Sequence, residues 1–119
     1  MADGTVIIAG WIDVEPASRD DLVAASIPFQ RSTRDDEPGC DAYVFAADPA
    51  VAGRIAVFEQ WATAADLDAH FVHPNFLGMK ELLRAYPRVG SQTTKFRVDA
   101  SGPVYGPDGV PSATDWPAG

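Results

Sequence analysis

Residues 54–61 read RIAVFEQW, and their β-branched and aromatic side chains predict a strand. Side chains alternate across a strand, so one face carries Ile55, Val57, Glu59 and Trp61, and the other carries Ala56, Phe58 and Gln60. Both faces hold apolar groups, and a sheet that is apolar on both sides must be covered on both sides. Helices would cover one face, and a second copy of the chain is the simplest cover for the other.

The neighbouring stretches predict the rest of a sheet. Residues 40–47 form a second strand, joined to the first by a turn over residues 48–53, which makes an antiparallel hairpin. Residues 5–14, TVIIAGWIDV, predict another strand. Gly10 interrupts it, which indicates a bulge or a close approach by a neighbouring segment.

Helical periodicity fills the intervals between these strands. A helix is expected from about residue 17 to residue 33, with a bend or break near Ala24, because Pro28 removes a helical hydrogen bond. A loop over residues 34–39 follows. Two helical pieces and a last strand are expected over residues 64–71, 74–86 and 92–98. The order β-α-β-β-α-β is the ferredoxin-like arrangement of an α+β fold with an antiparallel sheet.

We expect one domain over residues 1–100 and a Gly/Pro-rich tail over residues 101–119. The chain has 119 residues, which fits a single domain. The tail holds four Gly and four Pro among its 19 residues, so it cannot be regular helix or strand throughout. It is either disordered or docked on a neighbour through Val104, Tyr105 and Trp116.

Composition excludes several classes of partner. The formal net charge of -8 argues against a nucleic-acid surface, which needs a clustered basic footprint. No stretch approaches the roughly 18–20 apolar residues of a membrane span, and the first residues lack the basic region of a signal peptide. Cys40 is the single cysteine and cannot form an internal disulfide, which favours a reducing compartment. We therefore expect a cytoplasmic protein with no membrane contact.

Three local motifs point to a family. They are TRDDEPGC at residues 33–40 followed by Tyr43, FEQW at residues 58–61, and His70 followed by Pro74 and Phe76. Together, and over about residues 6–98, they resemble the antibiotic biosynthesis monooxygenase family. The resemblance implies a dimeric α+β barrel, in which the four-stranded sheets of a homodimer face each other. It also implies a pocket in each protomer between the sheet and the helices.

Members of the family that this chain resembles differ in function. They include cofactor-free oxygenases of polyketide aromatic rings, quinol oxygenases, haem-degrading enzymes and an isomerase of a signalling sugar derivative. Where the haem-degrading branch needs a His, an Asn and a Trp, this chain has Lys80, Gly10 and His70. A lysine ammonium has no lone pair for iron, so the resemblance implies no haem site here.

His70 is the candidate catalytic residue. It lies nine positions after Trp61, so it folds back over the end of that strand, where Glu59 points to the same face. A contact between Glu59 and His70 would fix the imidazole and raise its basicity. His70 would then remove a phenolic proton, and the phenolate would pass an electron to dioxygen without metal or flavin. The alternative is a structural His–Glu pair that closes the helix onto the sheet.

Besides Glu59, four residues are candidate substrate-binding groups: Tyr43, Trp61, Asn75 and Tyr86. Tyr43 and Trp61 either form an aromatic wall against a planar substrate or pack in the core or the dimer interface. Asn75 and Tyr86 lie near the helix that roofs the expected pocket. Either would orient a substrate there, or Asn75 would cap the helix.

No cofactor and no metal ion are expected. The chain has no Gly-rich phosphate loop and no dinucleotide fingerprint, and His70 and His73 have no third ligand at a natural spacing. Cys40 is a poor nucleophile, because the negative charge of Asp41 beside it raises the pKa of a thiol.

The leading hypothesis is a cofactor-independent monooxygenase that oxidises a phenol, quinol or polyketide-like ring with dioxygen. One alternative is a non-catalytic small-molecule binder that keeps the same dimeric barrel. Another is a cofactor-free isomerase that moves a proton through the same His70.

Overall fold

The computed structural model describes Met1 and residues 4–117 of the chain. Its strands and helices are β1 Val6–Val14, α1 Pro16–Asp36, β2 Cys40–Ala47, β3 Arg54–Trp61, α2 Ala64–Phe71, α3 Pro74–Arg84 and β4 Arg88–Arg97. The strands form one antiparallel sheet in the order β2-β3-β1-β4. The predicted ferredoxin-like α+β fold is therefore confirmed, with its second helical region divided into α2 and α3.

The core lies between the helices and one face of the sheet. The four side chains predicted to share one face of β3 are at most 7% exposed, whereas Phe58 on the opposite face is 40% exposed. Each helix contributes one buried apolar residue to the same cluster: Leu22, Leu67 and Met79. The predicted alternation along β3 is thus confirmed.

The other face of the sheet, which we call the open face, also carries large apolar groups. Cross-strand pairing places Trp11, Phe58 and Phe96 on it, and Phe96 is 52% exposed. Arg54 lies on the same face, with its guanidinium carbon 4.4 Å from the Trp11 ring centroid. Its Nε and Nη2 donate to the carboxylate of Asp13 at 2.9 and 3.0 Å. The described helices cover only the opposite side, so the sheet is apolar on both faces as predicted.

α1 differs from the prediction in its middle and at its end. It runs from Pro16 to Asp36 with Pro28 inside it, so the break expected near Ala24 does not occur. Ala24 and Pro28 are both exposed, which lets water satisfy the carbonyl group that the proline leaves without a donor. The helix continues to Asp36, so only residues 37–39 of the predicted loop lie outside it. Arg34, in the last turn of the helix, donates from Nε to the Tyr43 carbonyl oxygen at 2.8 Å.

α1 also covers the outer edge of β2. The side-chain Nε2 of Gln30 donates to the Phe45 carbonyl oxygen at 2.9 Å, and its Oε1 accepts from the Phe45 N–H at 3.0 Å. These two bonds copy the pairing that a further strand would make. They satisfy backbone groups that an edge strand otherwise leaves free.

β4 begins at Arg88 rather than at Gln92, because its pairing with β1 continues beyond the predicted bound. Gly10 of β1 has a φ of 150°, and a Cβ there would collide with the carbonyl oxygen of Gln92. The close approach predicted at Gly10 is therefore the approach of β4. None of the described helices combines the length and apolar character that crossing a membrane requires.

The described part of the tail, residues 101–117, contains no regular helix or strand. It turns back on itself through an isolated bridge between Tyr105 and Pro111. Val104, Tyr105 and Trp116 are all at least 60% exposed, so they do not dock on the core of their own chain. Their docking on a neighbouring chain, and the domain boundary near residue 100, stay predictions.

Candidate active site

α2 brings His70 into the centre of the core. The Thr63 side chain caps the start of the helix, and His70 in its last turn is 1% exposed. Aromatic rings surround the imidazole, at centroid distances of 4.6 Å to Trp61, 5.3 Å to Tyr43 and 5.3 Å to Phe76. Two of the residues predicted for the site, Tyr43 and Trp61, are therefore its direct neighbours.

The hydrogen-bond partner of His70 is Glu37. His70 Nδ1 lies 2.8 Å from Glu37 Oε1, and both side chains are at most 3% exposed. Glu59 instead accepts a hydrogen bond from Trp61 Nε1 at 3.1 Å. The predicted contact between Glu59 and His70 is therefore wrong. Glu37 follows the last turn of α1 and reaches the imidazole from the helix side, whereas the indole two residues along β3 occupies Glu59.

Asn75 and His73 complete the surroundings of Glu37. Asn75 Nδ2 donates to Glu37 Oε2 at 3.1 Å, and His73 Nδ1 lies 3.8 Å from the same oxygen. His73 Nδ1 also accepts from the Asn75 N–H, so His73 rather than Asn75 caps α3. We call Glu37, His70, His73 and Asn75 the Glu37 network. It joins the end of α1 to α2 and to the start of α3.

The protonation of His70 follows from its burial. Burial lowers the pKa of His70, and the hydrogen bond and charge of Glu37 oppose that shift. The imidazole is therefore neutral near pH 7. Because Nδ1–H donates to the Glu37 carboxylate, the lone pair on Nε2 is the basic site of the ring. A neutral imidazole held by a carboxylate is the arrangement that a general base requires.

Burial also changes the titration of the neighbouring groups. It raises the pKa of Glu59 to about 7, against the Trp61 hydrogen bond and together with the charge of Glu37. Burial also raises the pKa of Tyr43, and it raises the pKa of Cys40 to about 11. The charges of Glu37 and Glu59 add to both shifts. The thiol is therefore protonated at neutral pH, as the sequence predicts, while Glu59 titrates there. Strongly shifted groups of this kind are frequent at functional sites and also in buried structural pairs.

A cleft of about 460 Å³ opens between α2 and the β1–β4 side of the sheet. The residues that line it without a charge are Gly4, Val6, Ala64, Leu67 and Phe71, and the charged ones are Asp68, Lys95 and Arg97. Its volume lies in the range of small-molecule sites. The predicted site residues are absent from this lining: Tyr43, Glu59, Trp61, His70, Asn75 and Tyr86. Tyr86, beyond the end of α3, is partly buried against the core.

Strand pairing connects the cleft to the buried residues. One row of cross-strand neighbours on the helix side of the sheet contains Tyr43, Glu59, Ile8 and Lys95. Adjacent strands are about 4.8 Å apart, so Glu59 lies about 10 Å across the sheet from Lys95. The next row places Val6 between Trp61 and Arg97. The floor of the cleft therefore continues into Glu59 and Trp61.

The roof of the cleft reaches the same cluster. Leu67 and Phe71 lie one helical turn apart on α2 and both line the cleft. The Phe71 ring is 41% exposed, and its centroid lies 6.0 Å from that of His70. Phe71 thus lines the cleft on one side and lies beside the buried imidazole of His70 on the other.

Lys95 and Arg97 are the cleft residues that sequence reasoning missed. The alternation along the last strand puts both on one face, which is the signal that the sequence does contain. The strand pattern alone does not say which helix lies opposite that face, so it could not identify a cleft.

Another hollow, of about 600 Å³, lies within the tail between Pro103 and Pro117. Its ionisable lining groups are Asp108 and Asp115, and its lining includes neither His70 nor any of the aromatic rings around His70. Within residues 4–117, no three His, Cys, Asp or Glu side chains are grouped so that they could hold a metal ion. The cleft beside His70 and its aromatic neighbours is therefore the candidate active site.

Comparison with known proteins gives a family match. The model of the antibiotic biosynthesis monooxygenase family matches residues 5–82, which is more than half of the chain. An uncharacterized protein of Synechocystis sp. is 37% identical over 75 residues. These residues are 63% of this chain and 50% of the Synechocystis protein, so the chain spans half the length of that relative.

Solved structures share the fold at low identity. A Deinococcus radiodurans protein whose name carries the same family term has a TM-score of 0.74 at 19% identity, covering 85% of this chain and 99% of that one. A Caulobacter crescentus protein named in the same way has a TM-score of 0.71 at 19% identity, covering 84% and 92%. A conserved Methanosarcina mazei protein has a TM-score of 0.69 at 17% identity, covering 78% and 91%. At these identities the likeness establishes the fold alone.

Proposed function

Because this chain belongs to the antibiotic biosynthesis monooxygenase family, we propose that it oxidises a small aromatic molecule with dioxygen, without a metal ion or a flavin. The substrate class is a phenol, quinol or polyketide-like ring that enters the cleft under α2. In the simplest case a phenol and dioxygen give a quinone and water. The substrate supplies all the electrons that reduce dioxygen, so the reaction needs no external reductant.

The observation that carries the proposal is the Glu37–His70 pair beside the cleft. Nδ1 of His70 is held at 2.8 Å by a buried carboxylate, which leaves Nε2 as a base of fixed orientation. Removal of a phenolic proton by such a base produces an electron-rich phenolate, which is the species that reacts with dioxygen. General-base assistance of this kind contributes about 10²–10⁴-fold to a rate.

Tyr43, Trp61 and Phe71 would exclude water from the reacting ring and stack against it. Glu59, with its pKa near 7, would accept the proton that leaves the ring carbon as the carbonyl forms. Because His70 is 1% exposed, the proposal requires that Phe71 moves aside when substrate binds. Rotation of this partly exposed ring is a small motion compared with opening the core.

The burial of His70 favours a second candidate, a non-catalytic binder. In that case the Glu37 network is structural and the cleft alone binds a ligand. An isomerase that transfers a proton through His70 without oxygen is the third candidate. The three candidates differ in whether dioxygen is consumed and in whether a product forms.

The test is an oxygen-electrode measurement on a panel of hydroquinones, naphthols and anthrones. Monooxygenation predicts consumption of one dioxygen per turnover and incorporation of one ¹⁸O atom from ¹⁸O₂ into the product. Product formation under anaerobic conditions would indicate an isomerase. Binding with neither activity, measured as a rise in melting temperature, would indicate the binder.

A homodimer formed through the open face is part of the same proposal. Light scattering is expected to give about twice the 12.7 kDa mass of one chain. A Phe58→Glu variant places a charge in that face and should reduce the mass to that of one chain. The matched control is Val72→Glu, because Val72 is 76% exposed beyond the end of α2, on the helix side. A monomeric wild type at micromolar concentration would contradict the proposal.

A further inference from the structure

We infer that the cleft takes a ligand with an anionic group, such as a carboxylate, held between Lys95 and Arg97. The apolar part of the ligand would lie against Leu67 and Phe71. This inference rests on the proposed function for the location of the ligand, and it adds the chemistry by which the ligand is recognised. The site it assigns is a cationic one on β4, outside the Glu37–His70 pair.

The geometry of β4 presents two positive charges to one space. Lys95 and Arg97 are two residues apart on the strand, so their side chains emerge on the same face about 6.4–6.8 Å apart. Both line the cleft. The described ion pairs include neither of them. Their donors are therefore available to a ligand.

The surrounding charge makes this arrangement unusual for the chain. The protein has 17 acidic and nine basic residues, yet two of its basic residues face this cleft against a single acidic one, Asp68. A hydrogen bond from an ionised donor to an anion is roughly twice as strong as one between neutral groups. Both side chains are exposed, so solvent and salt screen the attraction, which makes it dependent on ionic strength.

The competing explanation is that both cations protect an edge strand from pairing with other chains, as lysines often do. That role needs positive charge on the strand but not an orientation towards the cleft. It also gives no preference between a charged ligand and a neutral one. The two explanations therefore differ in ligand selectivity, which can be measured directly.

The experiment compares 2-naphthoate with 2-naphthamide by isothermal titration calorimetry on the full chain. The two molecules share the ring and differ in charge. We expect naphthoate to bind about tenfold more tightly at low salt, with the advantage decreasing as salt is raised. The double variant Lys95→Met/Arg97→Met should bind both molecules equally. The control Arg88→Met removes a charge from the same strand outside the cleft lining and should retain the preference.

A second variant acts in the opposite direction. Asp68→Asn removes the acidic group from the cleft and should tighten naphthoate binding about two- to threefold while leaving naphthamide unchanged. This gain in affinity cannot result from loss of folding. Equal affinity for the two ligands in the wild type, or an unchanged preference in the double variant, would overturn the inference.

The binding measurement needs no turnover, so it fails or succeeds separately from the proposed oxidation. Preferential naphthoate binding without oxygen consumption on any substrate would support the anion site and remove the monooxygenase proposal. Oxygen consumption on neutral phenols with no preference for naphthoate would support the monooxygenase proposal and remove the anion site.

Discussion

A His70→Ala variant is expected to be about 3–5 kcal/mol less stable than the wild type. The substitution leaves the buried Glu37 carboxylate without its closest hydrogen-bond donor, and an unsatisfied buried group costs about 1–3 kcal/mol, or more when it is charged. It also empties a space between Trp61, Tyr43 and Phe76, and cavities add to the loss. Chemical denaturation with guanidinium, followed by Trp fluorescence, measures the change.

The control for this variant is His73→Ala. His73 also belongs to the Glu37 network, but its side chain is 35% exposed and its Nδ1 lies 3.8 Å from the carboxylate. Its main structural role is the cap of α3, so its loss should cost only about 1 kcal/mol. The double variant Glu37→Gln/His70→Ala should recover part of the stability, because no charge is then left buried. A loss below about 1 kcal/mol in His70→Ala would contradict the pairing.

The His70→Ala variant also tests the catalytic role of His70, once the stability of the variant is known. At a temperature where it remains folded, its turnover should fall by about 10²–10⁴-fold. Glu37→Gln, which keeps the imidazole but weakens its orientation, should lower kcat less and shift the pH profile. Full activity in folded His70→Ala would leave His70 with a structural role alone.

A Glu59→Gln variant is expected to be about 3 kcal/mol more stable than the wild type at pH 8 and nearly unchanged at pH 4. Burial raises the pKa of Glu59 from an ordinary value of 4.5 to about 7. Between these two values the folded state holds a proton that the unfolded state has lost, so wild-type stability falls as pH rises. The shift of roughly two to three pH units corresponds to about 3 kcal/mol.

Glutamine removes this pH dependence because it carries no charge at any pH, and its Oε1 still accepts from Trp61 Nε1. The measurement is the free energy of unfolding of both proteins at several pH values from 4 to 8. Glu81→Gln is the matched control, since Glu81 is 75% exposed in its side chain and should show no such difference. Parallel stability curves for Glu59→Gln and wild type would show that Glu59 ionises normally.

The hairpin was the most predictable part of the fold. β2 and β3 have the predicted bounds, because strong period-two alternation and flanking turn residues act locally. The burial of Glu59 and Trp61 followed from the same alternation. α1 was less predictable, since the proline inside it suggested a break, and only its exposed position explains why the helix continues.

The partner of His70 could not be predicted from the sequence. Glu37 lies 33 residues before it, in a stretch of charged residues that reads as a solvated loop. Its burial depends on how the end of α1 meets the start of α3, which no local pattern encodes. The cleft also depends on tertiary packing, because Lys95 and Phe71 come to line one space only when α2 packs on β3 and leaves a gap beside β4.

The two hydrogen bonds of Gln30 to Phe45 have a consequence for polymerisation. They occupy the outward-facing backbone groups of a residue in the middle of β2, so we expect a foreign strand to pair more readily with β4, the other outer strand of the sheet. Two molecules that joined there would form a longer sheet with a β2 strand at each outer edge. Because the Gln30 bonds hinder pairing at both of these edges, we expect edge-to-edge growth to stop at a pair and not to continue into a filament.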